Sequence, residues 1–228
     1  MSKLPFRVYL KNYYPNWFYR RVRATRDKKL IDIWKNNGCE IPAVDAYKRK
    51  LLAEIVKLNN RNIFIETGTF LGDTVFDIYP LVDKVITIEV SKELKNNAAK
   101  RFAGNSKVEI LEGDSAKVIS TINTDNLLKD RVIFWLDGHY SGGYTGIGEE
   151  VTPIYKELEG IKTFAEKGID CIVLIDDKRL FNGTDGYPLS ANLKAEIEKL
   201  YDVATLEFHD FFVFSFNSQK VVFPEEAL

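Results

Sequence analysis

An acidic residue and two glycines stand at fixed spacing where an apolar run of the sequence ends. The run is residues 62–65 (NIFI), and Glu66, Gly68 and Gly72 follow it. A glycine here lets the backbone bend and approach a ligand closely, and a helix that begins here presents N–H donors. The spacing E-x-G-x-x-x-G differs from the G-x-G-x-x-G of dinucleotide enzymes. It indicates a nucleotide-binding turn between a strand and a helix, and a purely structural turn is the alternative.

Two further polar turns follow later strand-like runs. Glu89 ends the run 84–89 (KVITIE), about 20 residues after the glycine turn, where α/β nucleotide folds bind ribose hydroxyls. Asp114 and Ser115 follow the run 108–111 (VEIL) and are candidates for contact with an adenine edge. Each position by itself could equally be a polar loop. Their order along the chain favours one shared nucleotide site.

Three carboxylates follow two other strand-like runs. Asp137 ends the run 131–137 (RVIFWLD), and Asp176 and Asp177 come directly after CIVLI. Parallel strands bring their carboxyl ends to one edge of a sheet, so we expect the three side chains to converge. Buried neighbouring carboxylates repel one another, and oxygen ligands suit Mg²⁺. The sequence therefore predicts a metal site at Asp137, Asp176 and Asp177. In the alternative, Asp137 contacts the cofactor and the other two cap a loop or bind an acceptor hydroxyl without an ion.

His139 is one of two histidines and lies two residues after Asp137, so we assign both as catalytic candidates, with His139 as the general base. An imidazole titrates near neutral pH and can remove a hydroxyl proton. A hydrogen-bonded structural histidine is the alternative, and His209 is predicted to be structural. Five glycines between residues 138 and 148 predict a mobile loop. The candidates for acceptor recognition near it are Tyr144, Glu149, Lys178 and Arg179.

Strand-like and helical patterns alternate along most of the chain. Apolar residues recur at helical spacing in residues 48–58, and residues 191–201 form a second helix candidate. The strand-like runs are residues 62–66, 84–90, 107–111, 131–137 and 171–176. The last two runs, 203–208 and 211–216, are joined by two residues and must form an antiparallel hairpin. The pattern predicts an α/β, doubly wound sheet whose final hairpin disfavours an NAD enzyme, since those sheets close with a parallel strand.

These motifs resemble motifs one to three of the class I S-adenosylmethionine (SAM)-dependent methyltransferases over roughly residues 60–217. The resemblance implies a seven-stranded Rossmann-like sheet of order 3-2-1-4-5-7-6. It also implies that the first acid and the glycines hold the methionyl part, Glu89 the ribose, and Asp114 with Ser115 the adenine. Motif one is similar to that of the catechol O-methyltransferase type. The cofactor-binding residues implied are Glu66, Gly68, Phe70, Gly72, Thr74, Glu89, Asp114, Ser115 and Asp137.

The acids Asp137, Asp176 and Asp177 resemble the metal ligands of catechol and macrolide-sugar O-methyltransferases, which implies Mg²⁺ besides SAM. The sugar enzymes place their base three residues after the acid, where this chain has Tyr140. The glycine-rich run resembles bacterial methyltransferase-like proteins of surface polysaccharide or natural-product assembly. The implied reaction is O-methylation of a small polar acceptor, such as a sugar or glycan precursor. Metal-independent transfer to nitrogen or to a phosphate or phosphoramidate oxygen, and a catalytically silent SAM-binding module, are the alternatives.

Charge and aromatic residues are concentrated at the beginning of the chain. Residues 1–30 hold nine Lys/Arg against Asp27 alone, so this segment carries +8 and the remainder −9. We divide the chain into a basic-aromatic arm, residues 1–45, and a methyltransferase domain, residues 46–228. Such an arm suits anionic membrane surfaces, and packing of its aromatic side chains on the domain is the alternative. We expect no nucleic-acid partner, and the sequence does not indicate an oligomeric state.

A chain of 228 residues with 45% hydrophobic content can bury a core as one domain. It has no apolar run of 18 residues and no apolar N-terminal stretch. We therefore expect a cytoplasmic protein, with contact at the inner face of the membrane through the arm. Cys39 and Cys171 are expected to be a surface thiol and a reduced core thiol.

Overall fold

The computed structural model describes residues 16–138, 152–218 and 220–225, and in these ranges seven strands form one sheet. The strands are β1 Ile63–Thr67, β2 Lys84–Glu89, β3 Val108–Glu112, β4 Arg131–Leu136, β5 Asp170–Ile175, β6 Leu206–Phe208 and β7 Phe211–Phe216. Their order across the sheet is β3-β2-β1-β4-β5-β7-β6. This order confirms the prediction from the sequence.

Helices pack on both faces of the sheet. They are α1 Asn16–Asn36, α2 Asp45–Leu58, α3 Asp73–Ile78, α4 Lys92–Arg101, α5 Ser115–Val118, α6 Ile154–Glu166 and α7 Ser190–Tyr201. Successive residues of β4 show the two faces, because Phe134 packs with α6 and α7 whereas Trp135 packs with α1, α2 and α3. Alternation of side chains along a strand produces these two cores.

The strands β1 to β5 are parallel, and β7 is antiparallel to both β5 and β6. The hairpin turn is His209-Asp210, with His209 at φ +52°. The predicted hairpin is confirmed, but β6 begins at Leu206 and not at Val203. Because α7 ends at Tyr201, residues 203–205 carry the chain from the helix layer to the edge of the sheet. The parallel strands place all their carboxyl ends at one edge.

The described part of the arm packs against the domain. Trp34 of α1 is 8% exposed, and its ring centroid lies 4.5 Å from that of Tyr47 in α2. Residues 1–15 lie outside the described ranges, so the boundary after residue 45 and the membrane contact stay predictions. Among the described helices, none has the length and apolar character needed to cross a membrane. Cys39 is exposed and Cys171 is buried, and both are free thiols.

Candidate functional site

A cavity of about 620 Å³ lies at the carboxyl ends of the parallel strands. Glu66 lies in β1, Glu89 ends β2, and Asp137 and Asp176 directly follow β4 and β5. The predicted site residues that line the cavity are Glu66, Gly68, Phe70, Thr74, Glu89, Asp114, Ser115, Asp137, Asp176 and Asp177. The fold therefore brings the predicted cofactor residues and the acid cluster to one cavity.

The two glycines of the first turn have different surroundings. Gly68 has φ +82°, and a Cβ there would clash with the carbonyl oxygen of Asp137. The loops after β1 and β4 can approach each other because this side chain is absent. Gly72, at φ +68°, is not among the residues that line the cavity, and a Cβ there would lie 2.8 Å from Cε2 of Phe102. Gly72 therefore serves helix packing, and Gly68 shapes the cavity wall.

Glu66 is a buried carboxyl group at the wall of the cavity. Its Oε2 accepts a hydrogen bond from the Thr87 hydroxyl at 3.2 Å, and that hydroxyl also contacts Thr69 Oγ1 at 2.5 Å. Burial raises the pKa of Glu66 well above its usual range, and the charge of Glu89 adds to this, against hydrogen bonds from Thr87 and Thr74. A cation beside Glu66 would favour its ionised form, so the site suits an ammonium group.

Glu89 is held rigidly by the backbone. Its Oε2 accepts from the N–H of Phe70 and its Oε1 from the N–H of Ser91, both at 2.8 Å. Burial raises the pKa of Glu89, and these N–H donors partly offset the effect. An ionised carboxylate has about four acceptor sites, so both oxygens can still accept hydrogen bonds from ligand hydroxyl groups.

The third turn is fixed by its own hydrogen bonds. Asp114 caps α5, where its Oδ1 accepts from the N–H of Ala116 at 3.0 Å. The Ser115 hydroxyl donates to Oε1 of Glu157 at 2.5 Å. Glu157 is fully buried on α6, and burial raises its pKa to about 7. Glu157 therefore orients Ser115 from behind the cavity.

The predicted acid cluster is present and contains a lysine. One oxygen each of Asp137, Asp176 and Asp177 lies within 4.8 Å of the others, close enough to share a metal ion. Lys48 of α2 donates from its Nζ to both oxygens of Asp176, at 2.8 and 2.9 Å, and to Oδ1 of Asp177 at 2.7 Å. The repulsion between neighbouring carboxylates, from which the metal was predicted, is thus reduced by the positive charge of Lys48. A divalent cation at Asp176 would compete with Lys48 for the same oxygens.

Burial and charge separate the three acids. Burial raises the pKa of Asp137 well above its usual range, and the charges of Asp176 and Asp177 raise it further. Burial also raises the pKa of Asp176, against the opposing charge of Lys48. Burial alone would raise the pKa of Asp177, but Lys48 and Arg179 outweigh it and the pKa lies below the usual value. Asp177 is therefore the member of the cluster whose surroundings favour the ionised form.

The two basic acceptor candidates are in different places. Arg179 lines the cavity and donates from Nη1 to Asp177 at 2.7 Å and also to Asp210. Lys178 donates to Glu207 at 2.9 Å and is not among the lining residues. Of these two residues, Arg179 is the one placed to contact a ligand in this cavity.

Three predicted residues lie outside the described ranges: His139, Tyr144 and Glu149. Their roles, including His139 as the base, stay predictions. His209 lies in the hairpin turn, and its Nε2 is 3.3 Å from the hydroxyl of Tyr47. This contact joins the hairpin turn to α2, which agrees with a structural role for His209.

Lys48 and Glu157 were missed by the sequence predictions. Lys48 takes the first position of an i, i+3, i+4, i+7 pattern that continues with Leu51, Leu52 and Ile55. Glu157 occupies the i+3 position of such a pattern in α6, after Ile154. A charged residue on an apolar helix face must be paired when it is buried. That signal could have identified both residues, although not their partners.

Comparisons with known proteins find similar folds among solved structures. No protein-family model and no curated protein matches the chain. The O-methyltransferase TomG from Streptomyces achromogenes, involved in tomaymycin synthesis and solved with SAM, has a TM-score of 0.55 at 16% identity, covering 85% of this chain and 89% of that one. The S-adenosylhomocysteine-bound methyltransferase PaMTH1 from Podospora anserina has a TM-score of 0.52 at 15% identity, covering 95% and 98%.

The N-methyltransferase NodS from Bradyrhizobium japonicum has a TM-score of 0.51 at 10% identity, covering 77% of this chain and 98% of that one. Likeness at such low identity establishes the fold, and the reaction must be argued from the site. The strand order and the antiparallel β7 agree with these structures. The chain has the class I SAM-dependent methyltransferase fold.

Proposed function

We propose that the protein is a SAM-dependent methyltransferase that binds its cofactor beside β1, β2 and β3. The observation that carries this proposal is Glu89, whose two oxygens are held by the N–H groups of Phe70 and Ser91 at the cavity wall. A carboxylate fixed in this way can accept hydrogen bonds from the two neighbouring hydroxyls of a ribose. The fold by itself would not supply this group.

The remaining lining residues fit the other parts of the cofactor. Glu66 would hold the methionyl ammonium, Gly68 lets the backbone approach the ligand, and Asp114 and Ser115 would contact the adenine. When bound, SAM supplies a methyl group on a positively charged sulfur. The cavity of about 620 Å³ lies within the usual size range of ligand pockets, about 300–1,000 Å³.

The acceptor is proposed to be a hydroxyl group of a small polar molecule, such as a sugar, a glycan precursor or a natural product. The cavity continues past Asp137 to Lys48, Asp177 and Arg179, which make its far wall polar and mixed in charge. Hydroxyl-rich molecules match such a wall because they both donate and accept hydrogen bonds. TomG, an O-methyltransferase of natural-product synthesis, supports this choice.

A nitrogen acceptor or a phosphate oxygen is the second candidate. NodS, an N-methyltransferase, has the same fold, and Arg49 and Arg179 both line the cavity. Two guanidinium groups could pair with an anionic acceptor. Mass-spectrometric fragmentation of the methylated product separates the candidates, because it places the new methyl on a carbon-bound oxygen, on nitrogen or on a phosphate oxygen.

Calorimetric titration with S-adenosylhomocysteine tests the cofactor proposal. We expect Glu89→Ala to weaken this affinity by roughly 10- to 100-fold, since hydrogen bonds to a charged group are worth about 1.5–3 kcal/mol. Glu109→Gln is the matched control, because Glu109 lies in the neighbouring strand β3 but is exposed and does not line the cavity. Absence of binding to the unmodified protein would overturn the proposal.

His139 and Asp137 are the two candidates for removing the acceptor proton. The pKa of Asp137 is raised, so the ionised Asp137 carboxylate is a stronger base than an ordinary carboxylate. If His139 is the base, His139→Ala is expected to lower kcat by roughly 10²–10⁴-fold while leaving S-adenosylhomocysteine binding unchanged. Single-turnover measurements with an identified acceptor check this, and an unchanged rate would exclude His139 as the base.

A further inference from the structure

We propose that Lys48 takes the place of a divalent cation among Asp137, Asp176 and Asp177, so that the acceptor end of the cavity works without a metal ion. The inference deepens the proposed function. It rests on that function only in placing the acceptor at this end of the cavity. Among the described residues, these acids form the one group of potential metal ligands that are close enough to share an ion. The position of Lys48 decides what that group binds.

Three carboxylate oxygens of the cluster already accept hydrogen bonds. Oδ1 of Asp176 accepts from Lys48 at 2.8 Å and from the N–H of Asp177 at 2.7 Å, and Oδ2 accepts from Lys48 at 2.9 Å. Oδ1 of Asp177 accepts from Lys48 and from Arg179, both at 2.7 Å. An ammonium has three donors, and these contacts use all three. A metal ion that bound these oxygens would have to break these hydrogen bonds.

Lys48 is held where it is by its helix. The Lys48 side chain is 10% exposed and that of Asp176 is 4% exposed. The next residues on the same face of α2, Leu51 and Leu52, are buried in the core. Lys48 therefore extends from a packed face of α2, and its ammonium is largely shielded from solvent. A divalent cation entering the cluster would meet a fixed like charge at close range, which is strongly unfavourable away from water.

The two acids after β5 contact two cations, of which Arg179 also bonds to Asp210. Lys48 bonds to both Asp176 and Asp177, and Arg179 bonds to Asp177. The described hydrogen bonds of Lys48 do not reach Asp137, which also lines the cavity. Asp137 is therefore the carboxylate of the cluster placed to receive an acceptor hydroxyl.

This arrangement removes one requirement on the acceptor, namely a pair of oxygens that could chelate a metal ion. A metal ion with open coordination positions could chelate two neighbouring oxygens of an acceptor. A site closed by Lys48 binds single hydroxyl groups through direct hydrogen bonds to Asp137 and Arg179. The acceptor thus needs no catechol or other chelating oxygen pair, and saturating chelator should not reduce turnover.

Calorimetric titration with Mn²⁺ tests the role of Lys48 in the full chain. We expect no saturable Mn²⁺ binding by the unmodified protein below about 1 mM. Lys48→Met keeps an unbranched side chain, one atom shorter, but removes its charge, and it should create one Mn²⁺ site. The double variant Lys48→Met with Asp176→Asn is the matched control and should lose that site.

Saturable binding of Mn²⁺ to the unmodified protein that Asp176→Asn abolishes would overturn the proposal. Failure of folded Lys48→Met to bind Mn²⁺ would also overturn it, because the lysine would then not be what excludes the ion. Circular dichroism establishes folding, and Lys48→Gln replaces Lys48→Met if that variant does not fold. S-adenosylhomocysteine titration of the unmodified protein separates the two proposals, since absence of cofactor binding there would refute the proposed function and leave the Mn²⁺ result valid.

Discussion

Lys48 and Glu157 support the cavity from opposite faces of the sheet. Lys48 extends from α2 to the acids after β5, and Glu157 extends from α6 to Ser115 after β3. Both are charged residues on otherwise apolar helix faces, and both bond to a residue that lines the cavity. Buried ionisable groups of this kind need a specific partner, so they fix the position of that partner.

Glu157 gives a pH-dependent contribution to stability. Its folded-state pKa of about 7 lies above the ordinary value of 4.5, so the folded protein holds this proton more tightly than the unfolded chain. The contribution is complete below pH 4.5 and is lost as the pH rises towards about 7. Glu157→Gln keeps an acceptor for Ser115 but cannot ionise. We expect it to be more stable than the unmodified protein at pH 8 by at most about 3 kcal/mol.

Urea unfolding at pH 5 and at pH 8 gives the free energy of unfolding of the variant and of the unmodified protein. The effect is the change between the two pH values in the difference between these free energies. Glu159→Gln is the control, because Glu159 is exposed on the same helix and its removal should change stability by less than about 0.5 kcal/mol. Equal pH dependence in Glu157→Gln and the unmodified protein would show that Glu157 does not carry this proton.

At the scale of elements, α1 and α2 close one side of the domain through a shared ion network. Arg23 of α1 is 3% exposed and donates to Asp77 of α3 at 2.7 Å. Arg49 of α2 donates to the same oxygen at 3.1 Å and also contacts Asp27 of α1 at 3.1 Å. Since Arg49 and Lys48 are adjacent, this network holds the turn of α2 that faces the cavity. The position of α1 therefore affects where α2 places Lys48 in the site.

Arg23→Ala should destabilise the protein by about 2–3 kcal/mol, because it leaves Asp77 partly buried with one cation fewer. Arg26→Ala is the matched control, since Arg26 lies on the same helix but is 52% exposed. Its loss should change the free energy of unfolding by less than about 0.5 kcal/mol. Equal urea midpoints for the two variants would mean that α1 is not held through Arg23.

At the scale of the whole molecule, the two ends of the cavity have different origins. The cofactor end is built by turns that directly follow β1, β2 and β3, which are consecutive in the sequence. The acceptor end combines α2, before the first strand, with residues after β5, and Lys48 and Asp176 are 128 positions apart. Proteins with O- and N-methyltransferase activity share this fold. Under the proposed function, we expect the choice of acceptor to depend on these contacts and not on the sheet.

Local features of the sequence determined the strands, the final hairpin and the positions of the polar turns. Side-chain alternation and residues such as Gly68 or Asp137 at strand ends report local conformation, because each depends on neighbours along the chain. The tertiary structure alone decided that Lys48 reaches Asp176 and that Glu157 reaches Ser115. These pairings depend on which helix packs on which face of the sheet, and helix periodicity shows that a face is buried without showing what it is buried against.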